Sequence, residues 1–260
     1  MKTDLKLGLA IGIVLLGLAG CLIAWHHFRS PALFSPVAAW SADGSHGKLV
    51  HVKLTKGVSG KAFLFEPNSF RQGTYTGVQI PDSPAYALTN SLSLAGWIRP
   101  RGDGYIIFSR GDHRPGLDPY GLSMQDNHVL RFWICGTSND QSAYVEVEIP
   151  YFVWTHVAAT FDGDTGTMDL YTNGVLAVQT NTTVRPMGPL EADQSPGIGI
   201  GNLNDGGNSF PFVGEIDGIA LYDRALSARE VEACYAQYAA SAGGQADPLP
   251  TRGNQGTFGN

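Results

Sequence analysis

Cysteine is scarce in this chain, with three in 260 residues, at Cys21, Cys135 and Cys234. No C-x-x-C pair occurs, which removes the metal-ribbon and dithiol chemistry that such spacing carries. Charge is sparse as well, at 15% of residues, and it leans acidic: 17 Lys and Arg stand against 23 Asp and Glu, for a net of −6. Neither half of the chain holds a Lys/Arg cluster, so the basic face that phosphate binding needs is missing and nucleic acid is excluded as a partner. What is plentiful is glycine, 33 residues, together with 15 Pro and a hydrophobic fraction of 43%. That composition describes short strands punctuated by turns around one sizeable core, and all-β domains of this length stay single.

Residues 7–25 carry no charge, and as a helix they would rise about 28 Å, enough to cross a bilayer. Lys2 and Lys6 precede the run and Arg29 follows it, a balance that favours a cytoplasmic N-terminus and an exported body. Within the run, LAGC at 18–21 resembles a bacterial lipobox with Cys21 as the lipidated residue, yet Leu22, Ile23, Ala24 and Trp25 prolong the apolar stretch where a lipoprotein turns polar. An uncleaved single-pass anchor in the cell membrane, a lipoprotein and a secreted protein therefore stay open, and each exports the body. The chain divides into an anchor or signal at 1–27, a Pro/Ser/Ala linker at 28–36, a folded body at 37–240 and a tail at 241–260. The tail, rich in Gly, Gln, Pro and Asn, offers too little apolar surface to offset its ordering entropy and reads as disordered. An exported compartment permits a Cys135–Cys234 disulfide; two buried free thiols are the alternative.

Between linker and tail, apolar and polar residues alternate with period two. The clearest segments are 93–99 (SLAGWIR), 105–109 (YIIFS), 129–135 (VLRFWIC), 143–149 (AYVEVEI), 155–161 (THVAATF), 167–171 (TMDLY), 175–179 and 212–222. Asp162-Gly163 and Asn173-Gly174 lie between such runs, where a hairpin asks for positive φ. One segment departs from this: 227–240 has helical spacing, with Ser227 at the N-cap and Glu230 three residues on, a capping box. A single amphipathic helix after many strands has to lay its apolar stripe on the sandwich.

Several stretches carry a resemblance. KGVSGKAFLF at 56–65, VQIPDSP at 78–84, LAGWIRP at 94–100, WTHVAATFDG at 154–163, LYTNG at 170–174, IGIG at 198–201 and FVGEIDGIALYDRAL at 212–226 occur in order and resemble the bacterial laminin-G-like, concanavalin A-like family. The resemblance implies an all-β, two-sheet antiparallel jelly-roll sandwich with one C-terminal helix, here preceded by a transmembrane or signal-anchor helix. It also implies one structural Ca²⁺ held by chain-distant loops, with Asp43 and Asp217 as the positions that match, both offering the hard oxygens calcium prefers. Trp97 and Trp154 read as core aromatics and His156 as a structural histidine.

Enzymes of this fold that hydrolyse glucans use two carboxylates on one strand, in the pattern E-x-D-x-E or E-x-D-x-x-E. Glu215-Ile216-Asp217 begins such a pattern, but Ile219 and Ala220 stand where the acid/base belongs, so no catalytic residue is assigned and catalysis is not expected. Arg110, Asp112, His113, Arg114, Asp118 and Tyr120 crowd into one loop region, the candidate ligand rim. The expected work is recognition, of a polysaccharide or other glycan by analogy with the family, or else of a cell-envelope protein. A glycan binder should present an aromatic platform beside polar groups, and a protein binder a contiguous apolar patch.

Overall fold

Strand β9 (Val129–Cys135) shows how the sequence builds the sandwich. Leu130, Phe132 and Ile134 are fully buried, while Arg131, Trp133 and Cys135 point to the other side. Each inward side chain contributes about 1.5–3 kcal/mol on burial, and a slip of one residue would turn all three out. The computed structural model describes residues 35–44, 47–66, 75–114, 116–137, 141–205 and 210–239. All the elements described below fall within the unit Pro36–Asn260. The apolar run at 7–25, Cys21 and the tail at 241–260 lie outside the described residues.

The strands are β1 (Ala38–Trp40), β2 (Lys48–Val50), β3 (Lys53–Lys56), β4 (Lys61–Phe65), β5 (Gly77–Pro81), β6 (Leu92–Pro100), β7 (Ile106–Gly111), β8 (Tyr120–Gln125), β9, β10 (Ser142–Glu148), β11 (Thr155–Asp162), β12 (Thr167–Thr172), β13 (Val175–Asn181), β14 (Gly197–Ile200) and β15 (Gly214–Tyr222). They form two antiparallel sheets. The first runs β13-β12-β11-β6-β15-β4-β3, with β1 also pairing with β15; the second runs β10-β9-β8-β7-β14-β5-β2. Their inner faces share one core that includes Phe63, Leu94, Ile98, Phe108, Phe132, Phe161 and Ile216. This is a two-sheet jelly-roll sandwich.

The one α-helix among the described residues, α1 (Ala228–Ala236), starts where its capping box requires: Ser227 Oγ accepts from Glu230 N, and the Glu230 carboxylate accepts from Ser227 N. Arg224 adds an ion pair to Glu230 at 2.7 Å. Val231 drops into a small cluster with Ala95, Ala158, Tyr171, Tyr222 and Leu226 on the outer face of the first sheet. Tyr235 packs beside Trp97 and His156, with ring centroids 5.7 and 6.0 Å away. Strand β6 is consequently buried along all nine residues: Leu92, Leu94 and Ile98 face the core, and Ala95 and Trp97 face the helix side. Trp97 and Trp154 are core aromatics of this outer layer.

Two turns differ in how they meet the demand for positive φ. Asn173 (φ 50) and Gly174 (φ 81) take it themselves. After Asp162 the turn is longer: the Asp162 carboxylate accepts from Asp164 N at 2.9 Å, and Gly166 (φ 77), rather than Gly163, adopts the left-handed region. The Asp162 side chain does locally what the backbone would otherwise have to do. Cys135 and Cys234 are both free thiols.

Candidate functional site

Helix α1 packs on the outer face of the first sheet. On the outer face of the second sheet lies a cleft of about 710 Å³, floored by β7, β8, β9 and β10. Ser109, Gly121, Trp133 and Tyr144 stand opposite one another in one row across these four strands. The row is set by alternation: each is the outward residue at its level, and the inward neighbours Phe108, Tyr120, Leu122, Phe132, Ile134 and Val145 belong to the core.

Trp133 owes its pose to Gly121. A Cβ there would run into the indole and into the Phe108 carbonyl oxygen, so only glycine lets the ring lie across β8. The indole Nε1–H donates to the Asp118 carbonyl oxygen at 3.3 Å, which fixes the ring from its other side. Tyr144, 55% exposed, stands next in the row, and Arg131 lies over its ring at 4.5 Å while donating to Glu146 at 2.7 Å. Across the cleft Tyr105 and Phe210, both partly exposed, meet edge to face with centroids 5.6 Å apart. Aromatic faces thus bound the cleft from two sides.

Polar groups sit between them. Ser109 Oγ is buried and has no hydrogen-bond partner. Asp118 rests on Gly111, where a Cβ would collide with its carboxylate. Burial first, then the charges of Asp112 and Asp205, push the Asp118 carboxyl up to about 7, against a small lowering from the Ser109 hydroxyl, which lies outside full hydrogen-bond geometry. A carboxyl that keeps its proton near neutrality both donates and accepts a hydrogen bond.

The six rim residues read from the sequence separate into two groups. His113, Arg114 and Asp118 line the cleft. Arg110 and Tyr120 turn into the interior: Arg110 is 1% exposed, gripping Asp82 through Nε and Nη2 at 2.9 Å each and the Gly188 carbonyl at 2.8 Å, and Tyr120 donates its hydroxyl to the Tyr86 carbonyl at 2.7 Å. Asp112 is buried and holds Arg114 and the Glu191 N–H. Burial would raise its carboxyl, but the Arg114 guanidinium and the backbone donors outweigh burial and lower it. The sequence reading missed Trp133, Tyr144, Tyr105 and Phe210. The signal for Trp133 was present in VLRFWIC, where Arg131 marks the outward phase and Trp133 shares it.

A second locus brings together two distant residues. Asp43 and Asp217 line one smaller cleft of about 290 Å³, with Ser41, Ser59 and the helix-side residues Trp97 and His156. They hold the β3–β4 turn from two directions: Asp217 accepts from Ser59 N at 2.9 Å and Asp43 from Lys61 N. The Asp217 carboxyl is pushed up to about 6, by burial first and by the like charge of Asp43, with the Ser59 and Val58 N–H groups opposing. His156 is lowered to about 4 by burial, and its Nδ1 has no partner. Among the described residues, no group of three or more His, Cys, Asp or Glu converges as a metal cluster.

Glu215 sits on the helix-bearing side and is fully buried. Arg99 binds it through Nε and Nη2 at 3.1 and 2.7 Å, and Arg101 binds it as well. A bulge between Asp217 and Ala220, with Gly218 at φ 65, then turns Ile219 into the core. Neither Glu215 nor the position after Asp217 presents a carboxylate to solvent.

Solved structures share this architecture at low identity. The binding domain of botulinum neurotoxin serotype G matches with a TM-score of 0.58 and 15% identity, covering 78% of this chain and 51% of that one. The binding domain of Paraclostridial Mosquitocidal Protein 1 matches at 0.53 and 18%, covering 74% and 47%. The CBM40 module of a Ruminococcus gnavus sialidase, solved with α2,3 sialyllactose, matches at 0.51 and 15%, covering 64% and 96%. The chain spans about half the length of the two toxin domains. Among curated sequences, 46 residues are 46% identical to a 2-succinyl-5-enolpyruvyl-6-hydroxy-3-cyclohexene-1-carboxylate synthase of Prochlorococcus marinus (strain MIT 9313), covering 18% of this chain and 8% of that protein. A family model described as the concanavalin A-like lectin/glucanases superfamily matches residues 72–232, across β5 to α1 and so most of both sheets, and the chain belongs to that superfamily.

Proposed function

We propose that this chain is a non-catalytic recognition module that binds a glycan in the open cleft of the second sheet, tethered to the cell membrane by residues 7–25. The observation that carries the reading is the outward row of Trp133 and Tyr144 beside Ser109 and Asp118. A pyranose offers an apolar C–H face to stack on aromatic rings and a rim of hydroxyls for polar groups, and this row supplies both partners side by side. Solved members of the fold with carbohydrate bound, such as the CBM40 module, support the reading as precedent. The large exposed apolar residues on strands outside the cleft, Leu54 on β3 and Val175 and Leu176 on β13, occupy opposite edges of the first sheet, which favours a glycan over a protein partner.

The test is affinity electrophoresis and calorimetry of the full-length protein against soluble polysaccharides. Trp133→Ala should weaken binding at least tenfold, about 1.4 kcal/mol, with the far-UV spectrum unchanged. Undiminished binding by Trp133→Ala would count against this cleft. Release of new reducing ends that stops in Asp118→Asn would replace the binding reading with a hydrolytic one.

For the second locus we propose a structural calcium. Asp43 and Asp217 both accept from the backbone of the same turn, which brings the two carboxylates to one cleft, and Ser41 and Ser59 line it with them. Six to eight oxygens at about 2.3–2.6 Å complete such a site, so backbone carbonyls and water would join them. Millimolar calcium should raise the Tm and EGTA should return it, with Asp217→Asn insensitive to both. A wild-type Tm that ignores both additions removes the ion from the account.

A further inference from the structure

The outward row that floors the open cleft runs on past Ser109 in the sheet but not in the cleft. Ser109 on β7 pairs with Gly199 on β14, which pairs in turn with Gln79 on β5, so register alone would carry the row from Tyr144 across the whole sheet. Ile198 and Ile200 belong to the core, and alternation therefore turns Gly199 outward. A Cβ on Gly199 would collide with the Asn202 carbonyl oxygen and the Asn204 backbone nitrogen, and one on Gly197 with the Asn204 carboxamide. The chain leaving β14 thus doubles back and lies on the outer face of its own strand, an approach that the missing side chains permit.

Asn202 fixes that return. It is fully buried; its Nδ2–H donates to the Thr76 carbonyl at 3.1 Å, and its Oδ1 accepts from Leu203 N at 2.9 Å and Phe210 N at 3.2 Å. Gly201 (φ 77) begins the reversal, and its carbonyl accepts from Phe212 N at 2.8 Å. Leu203, Asn204 and Phe210 therefore stand at the β14 side of the cleft as a wall held by buried hydrogen bonds. The opposite side has no such wall among the described residues: β10 is the last strand in the sheet order, and no element past it lines the cleft. From β7 to β10 the floor spans three strand spacings, about 14 Å, room for roughly three pyranose rings in line.

We infer that the cleft takes the end of a sugar chain and not an interior stretch: the terminal ring sits over Ser109 and Gly121 against the 202–204 wall, and the chain leaves over Trp133 and Tyr144 past β10. This rests on the glycan-binding reading above and narrows it to chain termini. An interior ring carries two continuations, and one of them would run into backbone that cannot swing aside without breaking the Asn202 hydrogen bonds. A terminal ring carries one, and the side beyond Tyr144 receives it. Ser109 Oγ, buried and without a partner, stands where the hydroxyls of that terminal ring would arrive.

Hydrolysing one glycosidic bond adds one reducing and one non-reducing end, so a polysaccharide cut by mild acid gains termini at constant mass. The experiment titrates full-length protein, in a detergent without a sugar headgroup, with soluble amylose, mannan, galactan and arabinoxylan, each intact and after cutting to chains still far longer than the cleft. For every polysaccharide that binds, the protein bound per milligram should rise in step with the bonds cut, counted by a reducing-end assay, while the affinity per site stays the same. Phe210→Ala, which trims an exposed side chain from the wall and leaves Asn202 in place, should weaken binding at least threefold with the far-UV spectrum unchanged. A capacity per milligram that ignores the cutting overturns the inference while glycan binding stands. Unaltered affinity in Phe210→Ala overturns the placement of the terminal ring against this wall. Binding of none of the four polysaccharides overturns the glycan-binding reading, and this inference with it.

Discussion

Replacing Glu215 by alanine should lower the unfolding free energy by about 3–5 kcal/mol and the Tm by roughly 10 °C. Glu215 is fully buried, Arg99 is nearly so, and Arg101 reaches in from a more exposed position. Removing the carboxylate takes away the buried charge that Arg99 binds bidentately, and leaves the guanidinium below the surface beside the Trp154 ring at 5.3 Å. The cost comes from keeping that cation buried without this carboxylate more than from the lost attraction. Glu215→Ala combined with Arg99→Met should therefore recover a sizeable part of the loss, a coupling that denaturant melts of the two single variants and the double variant measure. If the single variant melts within 1 °C of the parent, Glu215 is not a structural keystone and its reading as a possible nucleophile has to be reopened.

Arg110→Ala should be about as costly, again about 3–5 kcal/mol, and should leave glycan affinity intact below the melting transition. The Arg110 side chain is 1% exposed and pairs with Asp82, itself 18% exposed. It also donates to the Gly188 carbonyl, joining β7 and the start of the loop after β5 to a chain segment about eighty residues later. Truncation orphans Asp82 and that carbonyl together. Arg110→Met with Asp82→Leu, which removes both charges and keeps volume, should melt closer to the parent than Arg110→Ala does. Because Arg110 faces away from the open cleft, a loss of glycan binding in folded Arg110→Ala would show that the residue reads ligand after all.

These two arginine clusters show where sequence reasoning meets its boundary. Arg110 and Arg114 stand in one short polar stretch and look alike there. The strand phase separates them: Arg110 shares a side of β7 with the core residue Phe108, and Arg114 lies beyond the strand, where its guanidinium reaches Asp112 and the cleft. Trp97 and Trp133 form a similar pair. Both are outward residues on strands with inward Leu, Ile or Phe neighbours, yet Trp97 is covered by Tyr235 of the helix and Trp133 is left to form a platform.

The capping box at Ser227 and Glu230, the Asn173-Gly174 hairpin and the inward phase of 129–135 were all legible from local chemistry, because each depends on contacts within a few residues. So was the interruption of the E-x-D pattern at Ile219, since a hydrophobic residue in that place cannot serve as an acid; its turn into the core comes from the bulge after Asp217, which alternation alone does not foretell. Asp43 and Asp217 were named through family likeness, and it took the folded chain to bring them into one cleft across more than 170 residues of sequence.

From its sequence alone, then, the chain determined that it would alternate, pair antiparallel and close over one core, because period-two burial permits no other arrangement of those apolar residues. Only the tertiary structure decided which outer face would stay open. That choice follows from where helix α1 lands, a relation between elements distant in the chain, and from Gly121 lying opposite Trp133, a register across the β8–β9 pair that only the folded sheet sets.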